Sequence, residues 1–233
     1  MISRKLKIAM VCYPNMTLLD LLGPETVFSR FADIHLVWKT LESLSTDTNV
    51  SINPNCTFAD CPDDLDIVFV PGGPGSIAIM SDAEVLSFIR EKSRDSRFVT
   101  SVCTGSLILA AAGLLKGARA TTHWSVRDEL AMMGAIVVNK RVVVDGNRIT
   151  GGGITSGIDF GLEVVALVIG EDAAKATTLF LEYDPKPPFA SGTPELAGEK
   201  VVRMLSPEIS QVKKGIAEAI AKVNRLGLGR VDC

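Results

Sequence analysis

The stretch that most constrains this chain is FVTSVCTGSLILAAAGLL, Phe98 to Leu115. Its first half is apolar enough for a strand covered on both faces, and its second half is apolar almost all round, as in a helix with no exposed side. Between the halves, around Cys103, stand only the small residues Ser101, Thr104, Gly105 and Ser106. A buried strand that turns at once into a buried helix needs small neighbours if the apex side chain is to stand clear, which is the logic of a nucleophile elbow. A thiol at that corner faces the unpaired N–H groups and the positive dipole end of the helix, which favours its thiolate near neutral pH. The pattern marks Cys103 as catalytic. A small buried hydrophobe is the plainer reading of a free cysteine, so the rest of the chain has to decide.

Further strand-like runs occur at Lys7 to Cys12, Ile34 to Trp38, Asp66 to Val70 and Ile149 to Gly151, with helical patterns between most of them. Such alternation predicts an α/β fold with a mostly parallel sheet and helices on both faces. A length of 233 residues suits a single α/β domain spanning residues 1–233. Val137 to Arg148, with the turn Asp145-Gly146-Asn147, reads as a hairpin-like excursion. Helices are expected over Thr155 to Ile169 and Glu171 to Tyr183. After the rigid loop Pro185 to Pro188, two amphipathic helices are expected around Lys200 to Leu205 and Ser210 to Val223.

The strand at Asp66 to Val70 ends in PGGPG, residues 71–75. It lacks the G-K-[ST] ending of a phosphate loop and the G-x-G-x-x-G spacing of a dinucleotide site. A better role is to present the N–H of Gly72 or Gly73 toward charge developing at a reacting atom; a tight turn needing positive φ is the plain alternative. In Gly151-Gly152-Gly153-Ile154-Thr155-Ser156 the glycines read as close packing before a helix cap, with Ile154 touching the pocket. Asp20, among leucines in LLDLLGPE, is either a helix N-cap, with Pro24 in the first turn, or a buried carboxyl whose pKa rises toward proton transfer at neutral pH. The second reading is favoured, because Asp20 follows the first strand on the crevice side of the sheet. His123 in ATTHW reads first as a structural hydrogen-bonder, with direct acid–base chemistry the alternative.

A net charge of −3 without a Lys/Arg block argues against nucleic acid or an anionic membrane as partner. No apolar run approaches the ~18 residues of a membrane span, and Met1 to Tyr13 reads as the first strand, not a signal peptide. The five cysteines form no C-x-x-C, which suits a reducing compartment, the cytoplasm. Cys56 and Cys61 could pair or bind metal. With only His35 and His123 available, however, no zinc quartet of familiar spacing can be assembled, and no metal is expected.

Together LLDLLGP, DIVFVPGGPG, SVCTGSLILAAAGLLKGARATTHW, GGGITSGIDF and LEYDPKPPF resemble the ThiJ/PfpI superfamily, and within it the isonitrile (isocyanide) hydratases, from Ile8 into the C-terminal helices. The resemblance implies a flavodoxin-like sandwich, Cys103 as nucleophile, Asp20 as the acid hydrogen-bonded to it and Thr104 as the residue after it. It also implies a homodimer, no cofactor, and hydration of a small-molecule isonitrile to a formamide through a covalent thioimidate. Thr104 and the amides of Gly73 and Thr104 would orient or stabilise the adduct. The superfamily's proteases and amidotransferases instead need a histidine after the cysteine or further downstream; here Thr104 stands at the first place and no histidine follows His123. Two other readings compete: a thiol redox sensor or chaperone, and the ligand-binding domain of a transcription regulator. No basic helix-turn-helix module follows to support the latter.

Overall fold

The computed structural model describes residues 4–228, so Cys233 lies outside the described residues. Seven strands form the main sheet: β1 (Leu6–Val11), β2 (Ala32–Trp38), β3 (Cys56–Thr57), β4 (Ile67–Val70), β5 (Phe98–Val102), β6 (Val142–Asp145) and β7 (Arg148–Gly151). Their order is β6-β7-β5-β4-β1-β2-β3, parallel throughout except at the β6–β7 hairpin. The longer helices are α1 (Leu18–Phe28), α2 (Ala83–Asp95), α3 (Gly105–Ala111), α4 (Ser156–Val168), α5 (Glu171–Phe180) and α6 (Pro194–Leu226), with short helical turns at Ser76–Ile79, Trp124–Val126 and Arg127–Met132. α1, α4 and α5 pack together over one face of the sheet, and α2, α3 and α6 cover the other. This is the mostly parallel sheet between helices expected from the alternating pattern, and the flavodoxin-like sandwich that the resemblance implies.

Burial follows the sequence logic. Every residue of β4 is buried, as is every residue of α3, because each is covered on both sides. α2 shows the opposite, amphipathic case: Val85, Leu86, Phe88 and Ile89 face inward, and Asp82 caps the helix by accepting from Val85 N–H at 3.2 Å.

Two expectations change. Pro24 lies inside α1, beyond its first turn, so the carbonyl of Asp20 has no helical N–H to accept from. The C-terminal region is one helical run with a break at Gly198 (φ 77°), and it passes through Pro207 where a gap between two helices was expected. Its buried stripe of Ile216, Ala219, Ile220 and Val223 packs that run onto the body and outweighs the single backbone bond lost at the proline. Cys56 and Cys61 are buried free thiols in mutual contact beside the edge strand β3. Among the described residues no helix is long and apolar enough to cross a membrane.

The register sets the site. Ser101 lies opposite Val70, and Gly151 opposite Val102. The loops after β4, β5 and β7 therefore leave the sheet at one level, with α1 beginning close by. In an open parallel sheet this carboxyl edge is where ligands bind.

Candidate active site

Cys103 forms the corner between β5 and α3, with φ 54°. A non-glycine residue in this left-handed region costs roughly 1–2 kcal/mol, so its surroundings must hold it there. Its N–H donates to Gly152 O at 2.8 Å and to Gly151 O at 3.1 Å, and its carbonyl accepts from Thr122 Oγ1 at 2.8 Å. Those bonds come from β7 and from the segment after α3, so the elbow is fixed by tertiary structure as well as by its own small residues.

Asp20 does not cap α1. Thr17 occupies the N-cap position, and Asp47 Oδ1 accepts the Leu18 N–H at 3.1 Å. Asp20 sits in the first turn, fully buried, with Oδ2 accepting from Gly72 N–H at 3.2 Å and Oδ1 left without a hydrogen-bond partner. The carboxyl lies against the Cys103 thiol. Burial pushes its pKa up to about 7, while contact with the thiol and the Gly72 amide oppose that rise.

The thiol itself is pushed well above its ordinary range, first by burial and then by the Asp20 charge; the Thr104 and Ile154 amides act in the opposite direction. This corrects the expectation of a resting thiolate. α3 contributes only seven residues of dipole, and complete desolvation beside a carboxylate outweighs it. The resting pair is a thiol with a carboxyl that changes protonation near neutrality.

The glycine loop packs against both groups. A Cβ on Gly72 would lie 2.5 Å from Thr104 N, 2.7 Å from Cys103 Cβ and 2.8 Å from Asp20 Oδ2, so only glycine fits between them. Gly73 adopts φ 133°. Its N–H donates to Thr104 Oγ1 at 2.8 Å. The amides of Gly72 and Gly73, expected to face the reacting atom, are thus already engaged by Asp20 and Thr104. The amides that do face the sulfur are those of Thr104 and Ile154.

Above the thiol lies a cavity of about 260 Å3. Ile77, Trp124, Ile154, Leu205, Ile209 and Val212 give it an apolar wall. Ile154 is 39% exposed there, and the Thr17 and Thr104 side chains lie near the floor. His123 lines the same cavity but pairs with Ser125: Nδ1 is 2.7 Å from Ser125 Oγ. Burial, and then the Arg127 charge, lower its pKa, so it is neutral at physiological pH.

Sequence reasoning brings Cys103, Asp20, Gly72, Gly73, Thr104 and Ile154 to one place and His123 to the wall. It misses Thr17, Ile77, Trp124 and four α6 residues, Leu205, Glu208, Ile209 and Val212. Leu205, Ile209 and Val212 recur at helical spacing ahead of Ile216, a stripe legible as amphipathic but not as the roof of a pocket.

The DJ-1/PfpI family model matches residues 6–167. Isonitrile hydratase of Pseudomonas putida is 46% identical over 225 residues, covering 94% of this chain and 98% of that protein. A THiJ/PfpI family protein from Pseudomonas syringae superposes with a TM-score of 0.87 at 44% identity, covering 94% of this chain and 90% of the other. Drosophila melanogaster DJ-1beta shares the fold, with a TM-score of 0.71 at 21% identity over 76% of this chain and 98% of that one. A family match across most of the chain and full-length similarity to these relatives agree with the cysteine elbow: the chain belongs to the DJ-1/PfpI family.

Proposed function

We propose that this protein is an enzyme that hydrates isonitriles, R–N≡C, to N-substituted formamides, with Cys103 as nucleophile and Asp20 as the group that carries the proton. The observation that carries this reading is the buried thiol lying against a carboxyl of pKa about 7, with His123 hydrogen-bonded to Ser125. The terminal carbon of an isonitrile accepts both a proton and a nucleophile at one atom, so one thiol and one proton carrier suffice. Similarity to the P. putida isonitrile hydratase supports the same substrate class.

In this mechanism the Asp20 carboxylate accepts the S–H proton and passes it to the isonitrile carbon as the sulfur bonds to that carbon. The product is a thioimidate, R–N=CH–S–Cys103. Asp20 then takes a proton from water as its oxygen adds to the same carbon and passes that proton to the nitrogen, which leaves one proton on the added oxygen. The C–S bond of the resulting adduct breaks, releasing R–NH–CHO and returning the proton to the thiol. The Thr104 and Ile154 amides stabilise negative charge on sulfur as it forms and leaves, and the Thr104 hydroxyl, bonded to Gly73 N–H, fixes the loop between the two groups. The apolar wall accommodates an alkyl or aryl R group. An exposure of only 5% and a raised thiol pKa speak against the redox-sensor reading, since a sensor thiol is exposed and thiolate-rich. The same reading places the enzyme in the cytoplasm as a homodimer; the free thiols support the first, and exposed Met204 and Leu205 beside the cavity support the second.

The test is turnover of aliphatic and aromatic isonitriles by the purified protein, with the formamide identified by mass and NMR. Cys103→Ala is expected to fold and to form no formamide above background. A folded variant retaining more than a few per cent of parent turnover rules out covalent catalysis.

A further inference from the structure

A second cavity, of about 430 Å3, adjoins the one above the thiol and shares His123, Trp124 and Ile154 with it. Its character is the reverse. Arg127, Lys140 and Arg141 all line it, against the single carboxyl of Glu195 among the described residues.

The three cations are not equivalent. Arg141 is neutralised by Asp159, which accepts from its Nε, and it also donates to Thr155 Oγ1 at 3.3 Å. Arg127 forms no ion pair among the described residues, and its Nε is buried without an acceptor. Arg127 is half-buried as a whole, and a buried donor left unmatched is costly, so an acceptor entering the cavity, whether water or a ligand oxygen, would stabilise it. Arg127 also lies close enough to His123 to oppose its protonation, which places the guanidinium beside the wall the two cavities share. Lys140 is exposed at the rim and unpaired among the described residues. Glu195 lies in the first turn of α6; its own backbone N–H and then Thr193 lower its carboxyl, and the Arg127 charge lowers it further, although the two side chains form no ion pair. Once Asp159 is set against Arg141 and Glu195 against one of the other two cations, a single positive charge remains, which fits a monoanion better than a phosphate dianion.

We propose that this cavity is a specificity subsite for a carboxylate at the far end of the substrate, with Arg127 as its principal ligand and Lys140 at its rim. The substrates are then isonitrile-bearing carboxylic acids, whose hydrocarbon spacer lies along Ile154 and Trp124 while the isonitrile carbon meets Cys103. The guanidinium fork matches a carboxylate with two parallel N–H···O bonds, whereas Lys140 contributes only a point charge. This inference rests on the isonitrile reading above for the reacting end of the substrate, but not for the anion site.

The experiment compares kcat/KM for ω-isocyanoalkanoates with that for their methyl esters across a graded series of spacer lengths. At the best-fitting length the free acid is expected to be preferred by about tenfold or more, the usual scale of one hydrogen bond to a charged group. Arg127→Met is expected to bring that ratio close to one, and Arg127→Lys to keep part of it; a ratio taken within one variant is insensitive to its folded fraction. A second arm needs no turnover: an ω-(formylamino)alkanoate is titrated calorimetrically into Cys103→Ala with and without Arg127→Met, and its affinity is expected to fall about tenfold or more when Arg127 is lost. Equal reactivity of acids and esters at every length, or a preference that survives Arg127→Met, overturns the subsite. If neither acids nor esters react, the catalytic reading fails, and the calorimetric arm alone decides: Arg127-dependent binding upholds the anion site, and its absence overturns it.

Discussion

Asp20→Asn is expected to cost the enzyme its activity and to make it more stable above neutral pH. The folded protein holds the Asp20 proton to about pH 7, whereas the ordinary value is 3.8. A carboxyl whose folded pKa is raised leaves stability unaffected below its unfolded value, lowers it progressively as pH climbs between the two values, and exerts a constant penalty above the folded one. The gap of about three units, at about 1.36 kcal/mol per unit, corresponds to about 4 kcal/mol. Full burial of Asp20 means little of that is screened by water. Asparagine fills the same space and still offers an oxygen to Gly72 N–H, but carries no charge to desolvate. The Cys103 thiol stays protonated throughout this window, so Asp20 alone sets its limits.

The difference in stability between variant and parent should therefore widen by about 4 kcal/mol from about pH 4 to about pH 8, in the variant's favour. For a chain of this length that is a Tm difference on the order of 10 °C. Thermal melts followed by circular dichroism at matched ionic strength measure it directly, and kcat on one isonitrile should fall by about 10² or more in the same variant. A Tm difference that stays constant from about pH 5 to about pH 8 refutes the claim that this carboxyl holds its proton near neutrality. Should the folded variant keep kcat within about threefold of the parent, the mechanism built on that proton fails as well.

Three further outcomes follow from the same geometry. With Asp20 accepting the thiol proton, kcat/KM should rise with pH through about 7 and then level off, whereas a profile that falls there would mean the protonated carboxyl is the active form. Gly72→Ala should lower stability by about 1–3 kcal/mol and turnover by more than tenfold, because the added carbon would press on Thr104, Cys103 and Asp20 at once; melting and steady-state kinetics on the soluble variant check both. His123→Ala should keep measurable turnover, since the ring is tied to Ser125, and complete inactivity in a folded variant would place His123 in the proton path.

The parts of the site legible in the sequence were those built from neighbouring residues. The elbow could be read because its strand, its small residues and its helix adjoin in one stretch, and the sheet because β1, β2, β4 and β5 are short runs between helical patterns. Asp20 could be placed on the crevice side because a parallel sheet brings the ends of its strands to one level. The parts that could not be read depend on atoms distant in sequence. The direction of the Cys103 pKa is set by burial under several elements and by a carboxylate 83 positions earlier, so an argument from the helix end alone gives the wrong sign. The Gly73 amide looked free until Thr104, 31 residues on, closed the loop between β4 and β5. The same distinction explains α6: its stripe announces an amphipathic helix, but only the fold shows that Leu205, Ile209 and Val212 roof a cavity whose floor is Cys103. What distinguishes this elbow chemically is therefore how deeply the thiol and its carboxyl are buried together, a property assembled from α1, β4, β5 and β7 at once.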